Sequence, residues 1–347
     1  GSLVTLGSAV AGEMSVSGSI NTTLKFGKGG GNTSRGLGTD KDVTFSGGGE
    51  LDNGTTFSMS TTVADNYELS ASTTTITTPS YGSFTMGSST GSASYMYDEE
   101  VPVAYEQMSD GIDNPANKVG DFMDNNSVMY TSPTLDVAGV SLTAHVGYAP
   151  QAADGSVTDG GQPTYNKTYG RGQEAGLTLS YEGLKLGFYG AERENRTPVQ
   201  SAQDATRDEF NGAWYAKYSM GPVSIGYSES YFDAGVAQST LKTVDLAKTR
   251  RTAGGIYEGE QMSIAFNVND NMSISYSTSE NTYDSQADAK TAATTDDDIA
   301  QETDAIQVAY SMGGMSIKAY NMEVTNPEQD DDAADQSITE IALGFAF

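Results

Sequence analysis

Ser337-Ile338-Thr339-Glu340-Ile341-Ala342-Leu343-Gly344-Phe345-Ala346-Phe347 alternates large apolar residues with small or polar ones and stops on an aromatic ring. Successive side chains of a strand point to opposite faces. Ile341, Leu343, Phe345 and Phe347 therefore share one face, and Glu340, Ala342, Gly344 and Ala346 share the other. A soluble sandwich could present one such strand, but the same dyad recurs along the chain. Met14, Val16, Ile20, Leu24 and Phe26 oppose Ser15, Ser17, Asn21, Thr23 and Lys25. Val140, Leu142, Val146 and Tyr148 oppose Ser141, Thr143, His145 and Gly147. Leu184, Leu186 and Phe188 oppose Lys185, Tyr189 and Arg193, while Phe210, Trp214 and Tyr218 oppose Asn211, Tyr215 and Lys217. Met262, Ile264, Phe266 and Val268, then Met272, Ile274 and Tyr276, repeat the pattern. A β-barrel in lipid explains the recurrence, because only every second residue then meets hydrocarbon.

Composition agrees. Mean hydropathy is −0.42, and no apolar run reaches the roughly 18 residues a spanning helix needs. Forty Gly and twenty Tyr, against nine Pro and one Trp, suit packed strands with aromatic belts. No Cys is present, which removes disulfide scaffolds, thiolate metal sites and cysteine nucleophiles. Asp plus Glu number 46 against 18 Lys plus Arg, a net charge of −28. Such a surface repels phosphates, so nucleic acid is not an expected partner.

The connections sort by parity. Short ones are expected at Asp52-Asn53-Gly54, Pro79-Ser80-Tyr81-Gly82, 134–139, Glu182-Gly183, Met220-Gly221-Pro222, Asn269-Asp270-Asn271 and Gly313-Gly314. Long ones are expected at 27–41, 89–126, 150–172, 195–208, 233–252, 284–300 and 326–335, with a brief Asp65-Asn66 link among them. Gly, Asn, Asp and Pro at the short links are what tight hairpins require. An outer-membrane barrel carries short periplasmic turns on one rim and long external loops on the other, whereas a sandwich has no cause to sort them. The count predicts an all-β transmembrane antiparallel barrel of about sixteen strands. Barrels of that size enclose an aqueous channel.

The beginning of the sequence reads differently. Leu3, Val4, Leu6, Ala9, Val10 and Ala11 make a short apolar tract ending in an A-x-A pattern. Residues 1–11 read as the remainder of an export signal cleaved after Ala11, or as a short disordered tail, ahead of a single barrel domain over 12–347.

Several of these stretches together resemble the general diffusion porins of Gram-negative bacteria, closest to the alphaproteobacterial type. They are Ala9-Val10-Ala11-Gly12-Glu13, the strand from Met14 to Gly18, the Gly49-Glu50-Leu51-Asp52-Asn53-Gly54 hairpin and the terminal Leu343-Gly344-Phe345-Ala346-Phe347. The resemblance implies a homotrimer in the outer membrane, in contact with lipid and lipopolysaccharide. It also implies recognition of the closing strand, with Ile341, Leu343, Phe345 and Phe347, by the barrel-assembly machinery. In that family the third external loop folds into the lumen, which assigns the constriction to 89–126. This segment holds Asp98, Glu99, Glu100, Glu106, Asp110, Asp113, Asp121 and Asp124, with Lys118 its only base. The lumen-facing strand phase offers an opposing wall of Lys25, Lys185, Arg193, Lys217 and Lys318, with His145 beside them. A transverse field between the two would select solutes by charge and size, and the acidic excess favours cations.

Other chemistry finds less support. Asp98, Glu99 and Glu100, or Asp121 and Asp124, could hold Ca²⁺ through oxygen ligands, although no stretch fits an EF-hand and no cofactor is required. Asp296-Asp297-Asp298 and Asp330-Asp331-Asp332 read as hydrated external loop tips. His145 lacks the serine elbow and third partner that a catalytic base needs, so the chain is not expected to be an enzyme. Tyr148, Trp214, Tyr218, Tyr276 and Tyr310 fall on apolar faces and read as interfacial girdles. The alternatives are an acidic β-rich adhesin or surface-layer protein, and a substrate-specific outer-membrane channel. The first would lack parity-sorted loops. The second calls for an aromatic slide or an arginine-rich lumen.

Overall fold

A computed structural model describes residues 14–29, 35–65, 68–88, 92–111, 123, 127–152, 169–196, 207–235, 255–284, 300–329 and 333–347. Backbone amides in a membrane must be satisfied by the protein itself, and here the strands do this by closing on one another. In chain order they are β1 (Ser15–Lys28), β2 (Arg35–Glu50), β3 (Thr56–Val63), β4 (Leu69–Thr78), β5 (Gly82–Ser88) and β6 (Ser127–Thr131). They continue with β7 (Leu135–Val137), β8 (Val140–Ala149), β9 (Tyr169–Tyr181), β10 (Leu184–Asn195), β11 (Glu209–Met220) and β12 (Val223–Asp233). The last five are β13 (Ile256–Asn269), β14 (Met272–Asp284), β15 (Gln301–Met312), β16 (Met315–Thr325) and β17 (Gln336–Ala346). Each pairs antiparallel with its neighbour, and β17 returns to β1. β6 and β7 both pair with β8, through Thr131↔His145 and Leu135↔Leu142, so they are two halves of one interrupted stave. The seventeen strands thus form a closed antiparallel barrel of sixteen staves.

The seam closes β17 onto β1. β1 and β17 pair from Ser19↔Ala346 to Lys28↔Ser337. Beyond that register, Gly18 and Phe347 exchange two backbone hydrogen bonds, of 2.8 and 3.0 Å. A Cβ on Gly18 would lie 2.7 Å from the Phe347 ring, so the terminal aromatic needs glycine beneath it. Ile341, Leu343, Phe345 and Phe347 are exposed on the outer face, whereas Glu340 is 6 % exposed and faces inward.

The rims sort as the parity predicts. Both ends of the described barrel chain and the tight turns share one rim. There, Asn53 Oδ1 accepts from the Thr55 amide at 3.0 Å, and Ala138 and Gly139 both adopt positive φ, 51° and 86°. Gly82 also has positive φ, and a Cβ there would meet the Thr131 carbonyl at 2.1 Å. Two expected boundaries change. The long connection placed at 27–41 reduces to 29–34, because β1 runs to Lys28 and β2 starts at Arg35. Its Gly36, Gly38 and Asp40 lie opposite Lys25, Thr23 and Asn21, and a wet inner face accepts such residues without apolar support. Within 134–139, residues 135–137 are strand and only Ala138-Gly139 turns.

Alternation divides the wall. On β13, Met262, Ile264, Phe266 and Val268 are exposed outward, while Gln261 and Ser263 are buried inward. That outward apolar band stops at a row of carboxylates toward the long-loop rim: Glu229, Glu260, Glu280 and Glu302 lie opposite one another across β12 to β15. Of the aromatics read as girdles, Tyr276 lies within the band, opposite Ile264 and Ile306, and the others stand outward nearer its edges. Tyr218 and Tyr310 lie near the short-turn rim and Tyr148 near the other, while the Trp214 indole donates to Glu229 at 2.8 Å.

Two outcomes follow from this wall. Ile264→Arg should cost about 2–4 kcal/mol in equilibrium unfolding from liposomes, while Glu280→Arg, at the band's edge, should cost no more than about 1 kcal/mol. Equal costs would contradict the band. Phe347→Ala should reduce the yield of the SDS-resistant folded form on unheated gels, and full yield would show that the terminal ring is dispensable for closure.

Candidate functional site: a loop against the inner wall

The connection after β5 carries the polar chemistry of the interior. Its first contact is a buried carboxylate. Glu174 of β9, 3 % exposed, accepts from Ser92 Oγ at 2.8 Å, the Ala93 amide at 2.9 Å and the Tyr189 hydroxyl at 2.9 Å. After one 3₁₀ turn over Ser94–Met96, Tyr97 is wholly buried. Its ring stacks on Tyr189 with centroids 5.3 Å apart, and meets His145 edge-on at 6.0 Å. Gly176 makes this possible, since a Cβ there would lie 2.5 Å from the Tyr97 ring. Burial pushes the Tyr97 hydroxyl up to about 12, so it stays protonated.

Farther along, Glu99 takes a positive φ of 44° and turns its carboxylate onto Gln261 Nε2, at 2.7 Å, and onto the amide and hydroxyl of Ser109. Glu100 forms an ion pair with Lys217 of β11. Pro102 seats on Gly226 of β12, where a Cβ would come within 2.4 Å of its ring, and its carbonyl accepts from Ser263 of β13. The Ala104 amide donates to Ser275 Oγ of β14 at 2.9 Å. Gln307 of β15 accepts from the Tyr105 and Glu106 amides at 2.8 and 3.0 Å and donates to the Glu106 carbonyl at 2.7 Å. The Tyr105 ring lies 5.7 Å from that of Tyr320 on β16, and its hydroxyl donates to Glu340 of β17 at 2.8 Å. Burial first, then Glu340, drives the Tyr105 hydroxyl upward as well. Met108 closes the run in an apolar cluster with Ala305, Met322, Val324 and Ile338. The described loop residues therefore run along the inner wall from β9 to β17, with Glu99 reaching ahead to β13 before Glu100 meets β11.

The bases named from the sequence face inward but do not form one wall across from this loop. Lys185 and Lys217 lie over the Tyr215 ring, at 5.6 and 5.3 Å, on the side the loop covers. Lys318 lies 5.0 Å over the Tyr105 ring, and Lys25 pairs with Glu340 at 3.2 Å. Arg193 pairs with Glu209 at 2.7 Å and stacks on Tyr169, toward the long-loop rim. His145 Nδ1 shares a hydrogen bond with Thr131 Oγ1 at 3.1 Å. Among the acidic residues, Asp98, Glu99, Glu100 and Glu106 belong to the described run, and Asp110 sits in the helical turn Met108–Gly111. Asp113, Asp121 and Asp124 lie outside the described residues, as do Asp296 to Asp298 and Asp330 to Asp332. Glu99 and Glu100 turn to different partners. Among the described residues, no group of three or more His, Cys, Asp or Glu side chains could hold a metal. Glu174, Gln261 and Gln307 were not singled out by sequence; their one signal is a polar side chain in the inward phase of a strand.

Comparison with known proteins agrees with this architecture. The sequence profile described as Gram-negative porin matches residues 2–347. No curated protein matches by sequence. Among solved structures, OmpF of Salmonella typhi in complex with daunomycin aligns with TM-score 0.67 at 12% identity, covering 97% of this chain and 98% of that one. OmpT of Vibrio cholerae, solved in a trimer form, aligns with TM-score 0.63 at 13% identity, covering 97% and 100%. An anion-selective porin from Comamonas acidovorans gives TM-score 0.61 at 13% identity, covering 97% and 100%. Those likenesses concern the fold. The profile, spanning nearly the whole sequence, makes this chain a member of the Gram-negative porin family, an outer-membrane channel protein.

Proposed function

We propose that the barrel is a water-filled, passive and non-enzymatic diffusion channel for small hydrophilic solutes and ions, and that the 89–126 loop lies in its lumen as the constriction. The observation that carries this reading is the run of loop contacts with inward-facing residues from Glu174 on β9 to Glu340 on β17. A loop held at that many points narrows the bore, and among the described residues the inner faces of β2 to β5 make none of these contacts. A net charge of −28 supports a preference for cations. His145 supports no catalytic role, since its ring is engaged by Thr131 and Tyr97. Of the carboxylates that could hold calcium, Glu99 is bound by Gln261 and Ser109 and Glu100 by Lys217. The trimer form of the Vibrio cholerae OmpT supports a homotrimer here, and the outward apolar rows of β13 support its contact with the lipid and lipopolysaccharide of the membrane. Phe347 at the seam supports recognition of the closing strand during assembly.

Reconstitution in planar bilayers tests the reading. Stable single-channel steps, with a reversal potential of the cation-selective sign in asymmetric KCl, are expected. No conductance would sink the channel, and the anion-selective sign would sink the charge argument. The loop can be tested separately through its first anchor. Glu174→Leu orphans three donors at roughly 1–3 kcal/mol each. Open-channel noise and mean conductance should both rise, while the SDS-resistant barrel persists. Currents identical to those of the parent would show that Glu174 does not hold the constriction.

A further inference from the structure

The described carboxylates of the loop are engaged. Glu99 binds Gln261 and Ser109, Glu100 binds Lys217, and Asp98 and Glu106 also have interaction partners. Glu174 and Glu340, on the wall beneath the loop, are likewise occupied by Ser92, Tyr189, Tyr105 and Lys25. Among the described residues, carboxylates open to the bore therefore have to be found off the loop. The register shows where that is. The loop reaches its last staves at Tyr105, whose hydroxyl touches Glu340 on β17 and Asn21 on β1. One strand farther round, Asp40 lies opposite Asn21, and Asp42 opposite Ser19, on the same inward face. Neither carboxylate has an ion pair or hydrogen bond among the described residues. Past them the inward positions of β3, β4 and β5 carry only serine, threonine, glycine and alanine. Their hydroxyls bond to one another, as in Thr44 with Thr62 at 2.7 Å and Thr75 with Thr85 at 3.2 Å.

We infer that Asp40 and Asp42 of β2, rather than the described carboxylates of the acidic loop, set the charge selectivity of the channel. This rests on the reading of the barrel as a conducting pore constricted by 89–126. Two open carboxylates facing a neutral hydroxyl wall raise the local cation concentration where the bore is free, and they exclude anions from it. Loop carboxylates compensated by lysine or buried against neutral donors project less field into the water.

The experiment compares reversal potentials in asymmetric KCl for the parent, the Asp40→Asn/Asp42→Asn double variant, Asp40→Lys and the outward-facing control Glu280→Gln. The double variant should lower the cation-to-anion permeability ratio by roughly threefold or more with conductance retained, and Asp40→Lys should shift it further, toward anions. Glu280→Gln should match the parent. A ratio unchanged in both inward variants, each checked as an SDS-resistant barrel, would overturn the inference and leave the pore intact. Absent conductance or anion preference in the parent would instead overturn the underlying reading.

Discussion

The structure depends on backbone hydrogen bonding that leaves no edge. A β-sheet in lipid cannot end in unpaired amides and carbonyls, each of which costs several kcal/mol in hydrocarbon. The pairing of β17 with β1 meets this demand, and Gly18 with Phe347 extends it beyond the strand ends. Side chains follow from closure. Outward positions meet hydrocarbon and are apolar, and inward positions meet water or the crossing loop. The alternation of Ile341, Leu343 and Phe345 with Ala342 and Gly344 expresses that one constraint at the seam.

Closure also creates the interior in which a loop can be held. Where the described loop residues meet the wall, the wall is locally thin. Gly176 admits the Tyr97 ring, Gly226 admits Pro102, and Gly187 leaves room for Tyr215. Polar side chains in the inward phase then take up the loop's backbone, as Ser275 and Gln307 do. The result is asymmetric. One half of the circumference is lined with tyrosines and compensated charge beneath a covering loop, and β3 to β5 present hydroxyls. That asymmetry lets a strongly acidic protein hold Glu99 and Glu100 of its loop against Gln261, Ser109 and Lys217 and still present charge to the bore from β2.

Much of the wall was legible in the sequence, because strand phase is a local property. Lys25, Tyr189, Tyr215 and Lys217 face inward as period-two alternation places them, and the outward apolar rows of β13 and β14 hold. The stretch from Gly27 to Lys41 was not legible, because glycine, threonine and aspartate on a wet inner face look like loop composition while their backbone pairs with β1. The partners of the loop were not legible either. Glu174 is 81 residues from Ala93, and Glu340 is 235 from Tyr105. No spacing rule joins such residues; only the path of the loop across the closed barrel does. The same path sets Lys217 of the expected basic wall beneath Glu100, where the two form an ion pair.

The central claim is that this loop lies inside the barrel on the faces of β9 to β17. The sequence contains no cysteine, so a single engineered pair reports on it without background. The Ala104 amide donates to Ser275 Oγ at 2.9 Å, which places the two residues within reach of a disulfide. Ala104→Cys with Ser275→Cys should cross-link on mild oxidation in an SDS-resistant barrel that still conducts, and reduction should restore free thiols. A folded, conducting barrel whose two thiols stay uncross-linked under oxidation would place the loop elsewhere and contradict the account.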